Sequence, residues 1–198
     1  MQLQRGSAPP PEIDEPDLDK LTCFIGPPLL NAFMEYYGFD ENKSIVAIEK
    51  YRERFAKVGL FENGVYDGIE DLLKQLKNKG KVLAVATSKP GIYTERILEK
   101  YNIRKYFKVV VGSELDGTRS NKGEVIQEVF KQLYLTEDEK TRAIMVGDRK
   151  HDILGAKDCG IHSIGVEFGF AEKDELKLAG ADYIVDNVEE LRRFLLEN

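Results

Sequence analysis

The chain has 198 residues, a formal net charge of −6 and a hydrophobic fraction of 42%, and it contains no Trp. This length suits one domain, or one domain carrying an insertion, with room for a sizeable core. Lys and Arg are interspersed with acidic residues, so no basic surface indicates nucleic acid or an anionic membrane as a partner. No run approaches the roughly 20 apolar residues of a membrane span.

The N-terminal segment differs from the rest of the chain. Residues 1–11 (MQLQRGSAPPP) are polar and rich in Pro, which predicts a flexible tail over residues 1–14. This start contains no apolar stretch of the kind that a signal peptide needs. Cys23 and Cys159 are lone cysteines far apart in the sequence, which is typical of a reducing compartment. We therefore expect a cytoplasmic protein.

Residues 15–64 have a purely helical pattern and predict a small helical domain. Pro27 and Pro28 suit the first turn of a helix, which carries apolar residues at helical spacing and ends at Gly38. A second helix includes Ile45 and ends before Gly59.

From residue 65 to the end, strands alternate with helices. The pattern predicts helices at about 67–79, 90–101, 121–133, 150–158 and 187–196, and strands at 82–87, 107–111, 143–147, 161–166 and 182–185. The strand at 82–87 is apolar throughout, so we expect it to be fully buried. This alternation predicts an α/β fold with a mostly parallel sheet over residues 65–198.

A pair of acidic residues follows one of these strands. The run Ile144-Met145-Val146-Gly147 ends in Asp148, and Asp152 lies at the start of the next helix. Ligands bind at the carboxyl ends of strands in such sheets, and two hard oxygen ligands suit Mg²⁺ better than Zn²⁺ or copper. The alternative is a helix-capping Asp beside an exposed helical Asp.

Two further polar groups lie at the starts of helices. Thr87 and Ser88 end the strand at 82–87, where hydroxyls and free N–H groups can bind phosphate, although Ser88 can also be a plain N-cap. Lys122 begins the helix at 121–133 and could neutralise a phosphate or hold a carboxylate. A lone Lys at such a position is otherwise solvated surface.

The set Thr87, Lys122, Gly147-Asp148 and Asp152, in this order and after a helical segment, resembles the haloacid dehalogenase superfamily. The similarity is greatest to its phosphoglycolate-phosphatase branch with a small helical cap, and it extends from about residue 15 to the end. Four stretches carry it: 23–30, 85–90, 115–120 and 146–152. The resemblance implies a Rossmann-like parallel sheet with a helical cap, and a Mg²⁺-dependent phosphomonoesterase. In this family an Asp attacks phosphorus to give an aspartyl-phosphate, and a second Asp two residues later is the general acid and base.

The resemblance also implies roles for individual residues. Thr87 would bind the transferred phosphoryl group, Lys122 would steady nucleophile and phosphate, and Asp148 and Asp152 would hold Mg²⁺. Ser88, Lys89 and Arg119 would assist in binding a small phosphorylated metabolite, with 2-phosphoglycolate and nucleoside monophosphates both open. Substrate choice would lie with the cap, where the candidates to line the cleft are Phe24, Ile25, Tyr36, Tyr37, Arg52 and Arg54.

The chain departs from the family at the nucleophile motif, a buried strand ending in Asp-x-Asp-Gly-Thr before the cap. Asp17-Leu18-Asp19 follows a polar stretch and lacks Gly-Thr. The run Glu114-Leu115-Asp116-Gly117-Thr118 follows a strand, but it begins with Glu and lies between Thr87 and Lys122. A nucleophile must be held rigidly, since a shift of about 1 Å can cost ~100-fold in rate. We therefore expect the chain as given to lack the central first strand and phosphatase turnover.

A sheet without its central strand would expose two strand edges. The strands ending at Thr87 and Gly147 would then close on each other or accept another segment or chain, which favours a homodimer.

Other functions remain open. A non-catalytic member of the family could bind a phosphometabolite or a protein through its cap. A phosphoacceptor receiver domain is disfavoured because its acidic residues precede its hydroxyl residue, whereas Asp148 follows Lys122 here. A dinucleotide-binding fold is disfavoured because no Gly-x-Gly-x-x-Gly follows the first strand.

Overall fold

The computed structural model describes residue 21 and residues 23–197. These residues belong to two compact units that divide between Gly64 and Val65. The first unit is helical and the second is α/β, as the sequence pattern predicts. No helix in this part of the chain is long and apolar enough to span a membrane.

The helical unit contains two α-helices and a short 3₁₀ turn. Helix α1 is Leu29–Tyr37, α2 is Glu41–Phe55, and the 3₁₀ turn is Gly59–Phe61. Gly38 ends α1 with a left-handed φ of 64°, a conformation that favours glycine, and its N–H donates to Met34 O. Asp40 caps α2 by accepting a hydrogen bond of 2.8 Å from Lys43 N. The predicted helix pair and its end at Gly38 are therefore confirmed.

The α/β unit alternates its elements along the chain. Its helices are α3 (Ile69–Asn78), α4 (Gly91–Lys100), α5 (Lys122–Leu133), α6 (Glu137–Lys140), α7 (Lys150–Asp158), α8 (Glu175–Ala179) and α9 (Val188–Glu197). Its strands are β1 (Ala84–Pro90), β2 (Val109–Ser113), β3 (Ile144–Gly147), β4 (His162–Val166) and β5 (Tyr183–Val185). Short 3₁₀ turns such as Arg104–Tyr106 connect some of them.

All strand pairs in the described part of the chain are parallel. Strand β1 pairs with β2, β3 pairs with β4, and β4 pairs with β5. These pairs form two separate sheets, β1–β2 and β3–β4–β5, and within residues 23–197 no ladder joins β1 to β3. The expected closing of these two strands on each other is therefore not seen. Residues 1–20 lie outside the described residues, so the absence of a central strand stays a prediction.

Two apolar clusters join the separate sheets, one on each face. On one face, Ile126 and Phe130 of α5 and Ala156 of α7 pack with Ala86 of β1 and Met145 of β3. On the other face, residues of α3, β4, β5 and α9 form a core against which Leu83 and Val146 pack. Because both clusters receive side chains from the β1 side and the β3 side, the two sheets belong to one packed α/β core.

The prediction that the strand at 82–87 is fully buried is wrong. Val82 is 67% exposed, β1 begins two residues later, and every residue of β1 is only partly buried. Full burial requires neighbours on both edges and both faces, and β1 pairs within the described residues with β2 alone.

Helices α6 and α8 were not predicted because they are too short for an apolar period to show. Instead, α6 begins with a capping box, in which Thr136 Oγ1 accepts from Glu139 N at 3.3 Å and Glu139 Oε2 accepts from Thr136 N at 2.9 Å.

Helices α5 and α7 approach each other closely at Gly155. A Cβ added at Gly155 would lie 2.6 Å from Lys122 Cγ and 3.1 Å from Gly123 N. We expect Gly155→Ala to destabilise the protein by about 1–3 kcal/mol, because this overpacking outweighs the gain in helix propensity. Urea denaturation measures the difference. Gly91→Ala is the control, since its added Cβ would meet only Gly112 at an ordinary 3.6 Å; equal stabilities of the two variants would contradict the prediction.

Candidate functional site

A buried ion pair lies where β1 ends and α7 begins. Lys122 Nζ lies 2.8 Å from Asp152 Oδ1, and each side chain is 10% exposed. The same ammonium donates a hydrogen bond of 3.0 Å to Ala86 O, next to Thr87. One side chain from α5 thus connects the backbone of β1 with the first turn of α7. A buried pair of this kind is maintained only when further hydrogen bonds satisfy its polar atoms.

The second acidic residue of the pair lies beside the first. Asp148 Oδ2 accepts a hydrogen bond of 3.0 Å from Phe170 N, in the loop after β4. Asp152 Oδ2 accepts one of 3.1 Å from Arg149 N. Burial raises the pKa of Asp148, and the neighbouring charge of Asp152 raises it further, while the Phe170 N–H opposes both effects. The two carboxylates predicted from the sequence therefore lie close enough to interact, with Asp148 buried and Asp152 paired with Lys122.

Two glycines make room for these carboxylates. A Cβ at Gly147 would lie 2.3 Å from Asp152 Cβ and Cγ, and a Cβ at Gly169 would lie 2.2 Å from Asp148 Cβ. Contacts this short are not possible, so any side chain at either position would displace an acidic residue. Gly147 was part of the predicted motif, whereas no local pattern marks Gly169.

The carboxylates of Asp148 and Asp152 can be compared with the ligands that Mg²⁺ requires. Within residues 23–197, no group of three or more His, Cys, Asp or Glu side chains is placed to hold a metal. Mg²⁺ in enzymes is commonly bound by one or two carboxylates, several waters and substrate phosphate oxygens. A cation would also relieve the repulsion that raises the pKa of Asp148. Asp148 and Asp152 therefore fit Mg²⁺ as part of its ligand set.

The hydroxyl residues predicted to bind phosphate, Thr87 and Ser88, lie within β1, which continues to Pro90. Thr87 Oγ1 accepts a hydrogen bond of 3.1 Å from Lys89 N, and Ser88 O accepts one of 2.8 Å from Ser113 Oγ. Burial lowers the pKa of Lys89 to about 8. The Lys122 ammonium thus contacts the residue before Thr87 through Ala86 O, the Thr87 hydroxyl accepts from Lys89 N, and the Ser88 carbonyl holds β1 against the end of β2.

Arg119 lies among carboxylates away from the Lys122–Asp152 pair. Its guanidinium contacts Glu114, lies 4.0 Å from Glu128 Oε1, and donates to Gly112 O at 3.2 Å. The Glu114–Thr118 run is a turn closed by its own backbone, with Glu114 N donating to Thr118 O at 2.9 Å. The structure therefore engages Arg119 in ion pairs with neighbouring carboxylates and binds it to Gly112 O of β2.

Several cap residues proposed to line a cleft pack inside the helical unit. The Phe24 ring lies 4.8 Å from Phe33 and 5.6 Å from Tyr37, between ring centroids. Arg54 forms two hydrogen bonds of 2.9 Å with the Glu62 carboxylate. Phe24 and Tyr37 therefore contribute to the core of this unit. Arg54 of α2 binds Glu62, the residue after the 3₁₀ turn.

Sequence reasoning missed two residues near the acidic pair. Burial raises the pKa of Tyr66, and the charge of the nearby Asp148 raises it further. Glu175 forms a buried ion pair with Arg149, at 2.9 Å between Oε1 and Nε. Arg149 lies between Asp148 and Asp152 in the sequence, but its partner is 26 residues away, and no spacing rule connects them.

Known proteins are similar to this chain over most of its length. A family model described as haloacid dehalogenase-like hydrolase matches residues 7–166. A 5'-nucleotidase from Pseudomonas aeruginosa is 45% identical over 183 residues, which is 92% of this chain and 81% of that protein. Tyrosine-protein kinase PtkA from Mycobacterium tuberculosis is 34% identical over 91% of this chain, which spans 61% of that protein.

A solved structure is similarly close. The crystal structure of a predicted phosphatase from Clostridium acetobutylicum has a TM-score of 0.90 and 49% sequence identity, and the match covers 94% of this chain and 85% of that one. The expected fold class and the expected family resemblance are both confirmed.

The raised pKa of Asp148 gives a prediction about stability. A group whose pKa is higher in the folded state favours folding at low pH, and this benefit is lost as pH rises through the folded pKa. We therefore expect Asp148→Asn, which keeps an acceptor for Phe170 N, to raise the metal-free melting temperature at pH 7. A change of about 1 kcal/mol would correspond to about 2–4 °C. The gain should disappear at pH ~3, below the unfolded Asp pKa of about 3.9, where the carboxyl is protonated in both states.

Calorimetry at the two pH values measures this difference. Asp138→Asn is the matched control, because the Asp138 side chain is 91% exposed and should not change the melting temperature. A lower melting temperature for Asp148→Asn at pH 7 would show that the carboxylate stabilises the metal-free fold.

Proposed function

The chain belongs to the haloacid dehalogenase-like hydrolase family, and we propose that its α/β unit is the Mg²⁺- and phosphate-binding core of a phosphatase of small phosphate monoesters. The observation that carries this proposal is the position of Lys122. Its ammonium contacts Asp152 and the carbonyl of Ala86, the residue before Thr87. One cation therefore lies between the acidic pair and the part of β1 that carries Thr87. Charge neutralisation and positioning at such a point are what phosphoryl transfer needs.

Each residue has a distinct part in this proposal. Lys122 neutralises a phosphate oxygen, and the Thr87 hydroxyl together with N–H groups at the start of α4 orients the phosphoryl group. Asp148 and Asp152 would hold Mg²⁺, which would supply further charge neutralisation when bound. Phe170 N and Gly169 keep Asp148 in place through a hydrogen bond and a close contact.

The covalent step needs a group that this set does not contain. In the family an Asp attacks phosphorus, and the 198-residue sequence has no Asp-x-Asp-Gly-Thr run to supply it. Among the described residues, Asp152 is the ion-pair partner of Lys122, and Asp148 would be a metal ligand in this proposal. We propose that the chain as given binds phosphate monoesters without hydrolysing them, the property of a non-catalytic phosphometabolite-binding member.

The relatives support a proposal for the substrate class. The 5'-nucleotidase of Pseudomonas aeruginosa is 45% identical to this chain, which favours nucleoside 5'-monophosphates as ligands. The resemblance to the phosphoglycolate-phosphatase branch keeps 2-phosphoglycolate as the second candidate. Both present a dianionic phosphate to the same cation.

Binding and turnover can be separated in one experiment. We expect AMP and 2-phosphoglycolate, titrated with Mg²⁺ present and followed by calorimetry, to bind without release of inorganic phosphate. Lys122→Met should weaken binding by at least about tenfold, because a charge-assisted contact to phosphate is lost. Lys131→Met is the matched control on the same helix, since the Lys131 side chain is 79% exposed.

Two results would contradict the proposal. Turnover that is abolished by Asp148→Ala would show that the chain is a complete enzyme. Phosphate-ester binding that survives Lys122→Met in a protein still folded by circular dichroism would place the phosphate elsewhere.

A further inference from the structure

An aromatic pair includes a ring near Asp148. Tyr66 precedes α3, Phe168 lies in the loop that follows β4, and their ring centroids are 5.4 Å apart at an interplanar angle of 82°. This edge-to-face arrangement is one that aromatic rings favour. Burial raises the pKa of Tyr66, and the charge of the nearby Asp148 raises it further. The proposed function gives no part to either ring, although the Tyr66 phenol lies near a carboxylate that it uses.

The two residues after Phe168 hold the Asp148 side chain. A Cβ at Gly169 would lie 2.2 Å from Asp148 Cβ, so the loop backbone passes directly against this side chain. Phe170 N then donates a hydrogen bond of 3.0 Å to Asp148 Oδ2. A small shift of this backbone would therefore move the hydrogen bond that orients the carboxylate.

Phe168 anchors this loop to the rest of the α/β unit. The loop leaves the sheet at Glu167, whose N–H donates a hydrogen bond of 2.9 Å to Val185 O. The Phe168 ring packs against the apolar core formed by α3, β4, β5 and α9, but it is only partly buried there. The contact with Tyr66 is therefore a second restraint on the ring, and it comes from the segment before α3.

We propose that Tyr66 is a positioning residue whose ring holds Phe168 in place, and that this contact keeps the Phe170 N–H directed at Asp148 for the binding of a divalent cation. The ring carries the effect and the hydroxyl does not, because an edge-to-face contact needs only the aromatic frame. Groups outside the ligand set influence metal binding because they fix the direction of the ligands. The part that concerns cation binding rests on the proposed function, whereas the restraint on Phe170 does not.

The first measurement needs no metal. Amide hydrogen exchange, followed by NMR, compares the Phe170 N–H with that of Ile164, a β4 residue that is 0% exposed. We expect Y66L to speed exchange at Phe170 by at least about tenfold and to change exchange at Ile164 by less than about threefold, because only the loop opens. Y66F should leave both amides like wild type, since it keeps the ring. Equal acceleration at both amides in Y66L, or none at Phe170, would overturn the proposal.

Tyr183 provides a matched control. Its ring centroid lies 4.5 Å from that of Phe194, so Y183L removes another aromatic contact from the same unit. Tyr183 begins β5 and pairs with Ile164 of the parallel strand β4, away from the loop that follows β4. We expect Y183L to leave exchange at Phe170 unchanged. An effect as large as that of Y66L would mean that any loss of aromatic packing loosens the loop, which contradicts a specific role for Tyr66.

The second measurement is Mn²⁺ affinity, by electron paramagnetic resonance, in wild type, Y66F, Y66L, F168L and Y66L/F168L. We expect Y66L to bind about tenfold more weakly, at the lower end of the cost of losing a group that orients metal ligands. Y66F should bind like wild type, and a Y66F as weak as Y66L would assign the effect to the hydroxyl and refute the proposal. If Tyr66 acts through Phe168, the double variant should bind no more weakly than F168L alone, and fully additive losses would also refute it.

The variants also separate this inference from the proposed function. If Y66L does not fold, F168L decides, because it removes the ring that Tyr66 contacts. Faster exchange at Phe170 with Ile164 unchanged would then support the proposal, and unchanged exchange at Phe170 would overturn it. If wild type binds no Mn²⁺ at millimolar concentration, the cation site of the proposed function fails, and exchange at Phe170 still decides whether Tyr66 restrains the loop. If wild type and Y66L bind Mn²⁺ equally well, the proposed function stands and the role of Tyr66 in cation binding fails.

Discussion

The ion pair between Lys122 and Asp152 is the interaction on which the candidate site depends. It joins α5 to α7, and through Ala86 O it joins both to the end of β1. Since β1 and β3 belong to different sheets in the described residues, this contact and the apolar clusters around it connect the two halves of the core. Breaking one partner of a buried pair costs about 3–5 kcal/mol, so stability and site geometry share the same residues.

Space at this junction is as important as charge. Gly155 lets the Lys122 stem pass between α5 and α7, Gly147 admits Asp152, and Gly169 admits Asp148. Each glycine is required by a neighbouring side chain and not by a left-handed backbone. The carboxylates are therefore packed closely in a site of low dielectric, where like charges repel strongly and a cation would be bound favourably.

The order of elements could be predicted, and candidate site residues could be named, because these signals are local. The α/β alternation and Gly38 as a helix end follow from periodicity and turn chemistry, and Thr87, Lys122, Asp148 and Asp152 lie at predicted strand ends or helix starts. The partial burial of β1, the ion pairs of Arg119, and the Glu175–Arg149 pair could not be predicted. Each depends on which distant elements become neighbours, and sequence spacing carries no information about that.

The sequence by itself determined the fold class, the family resemblance and the identity of the groups at the carboxyl ends of the strands, because each is encoded in short runs of residues. Only the tertiary structure decided that Lys122 contacts Asp152, that Asp148 is buried near Asp152, and that Glu175 forms an ion pair with Arg149. The physical reason is that burial and Coulomb interactions depend on distance in space, and packing of α5, α7 and α8 on the sheets sets those distances.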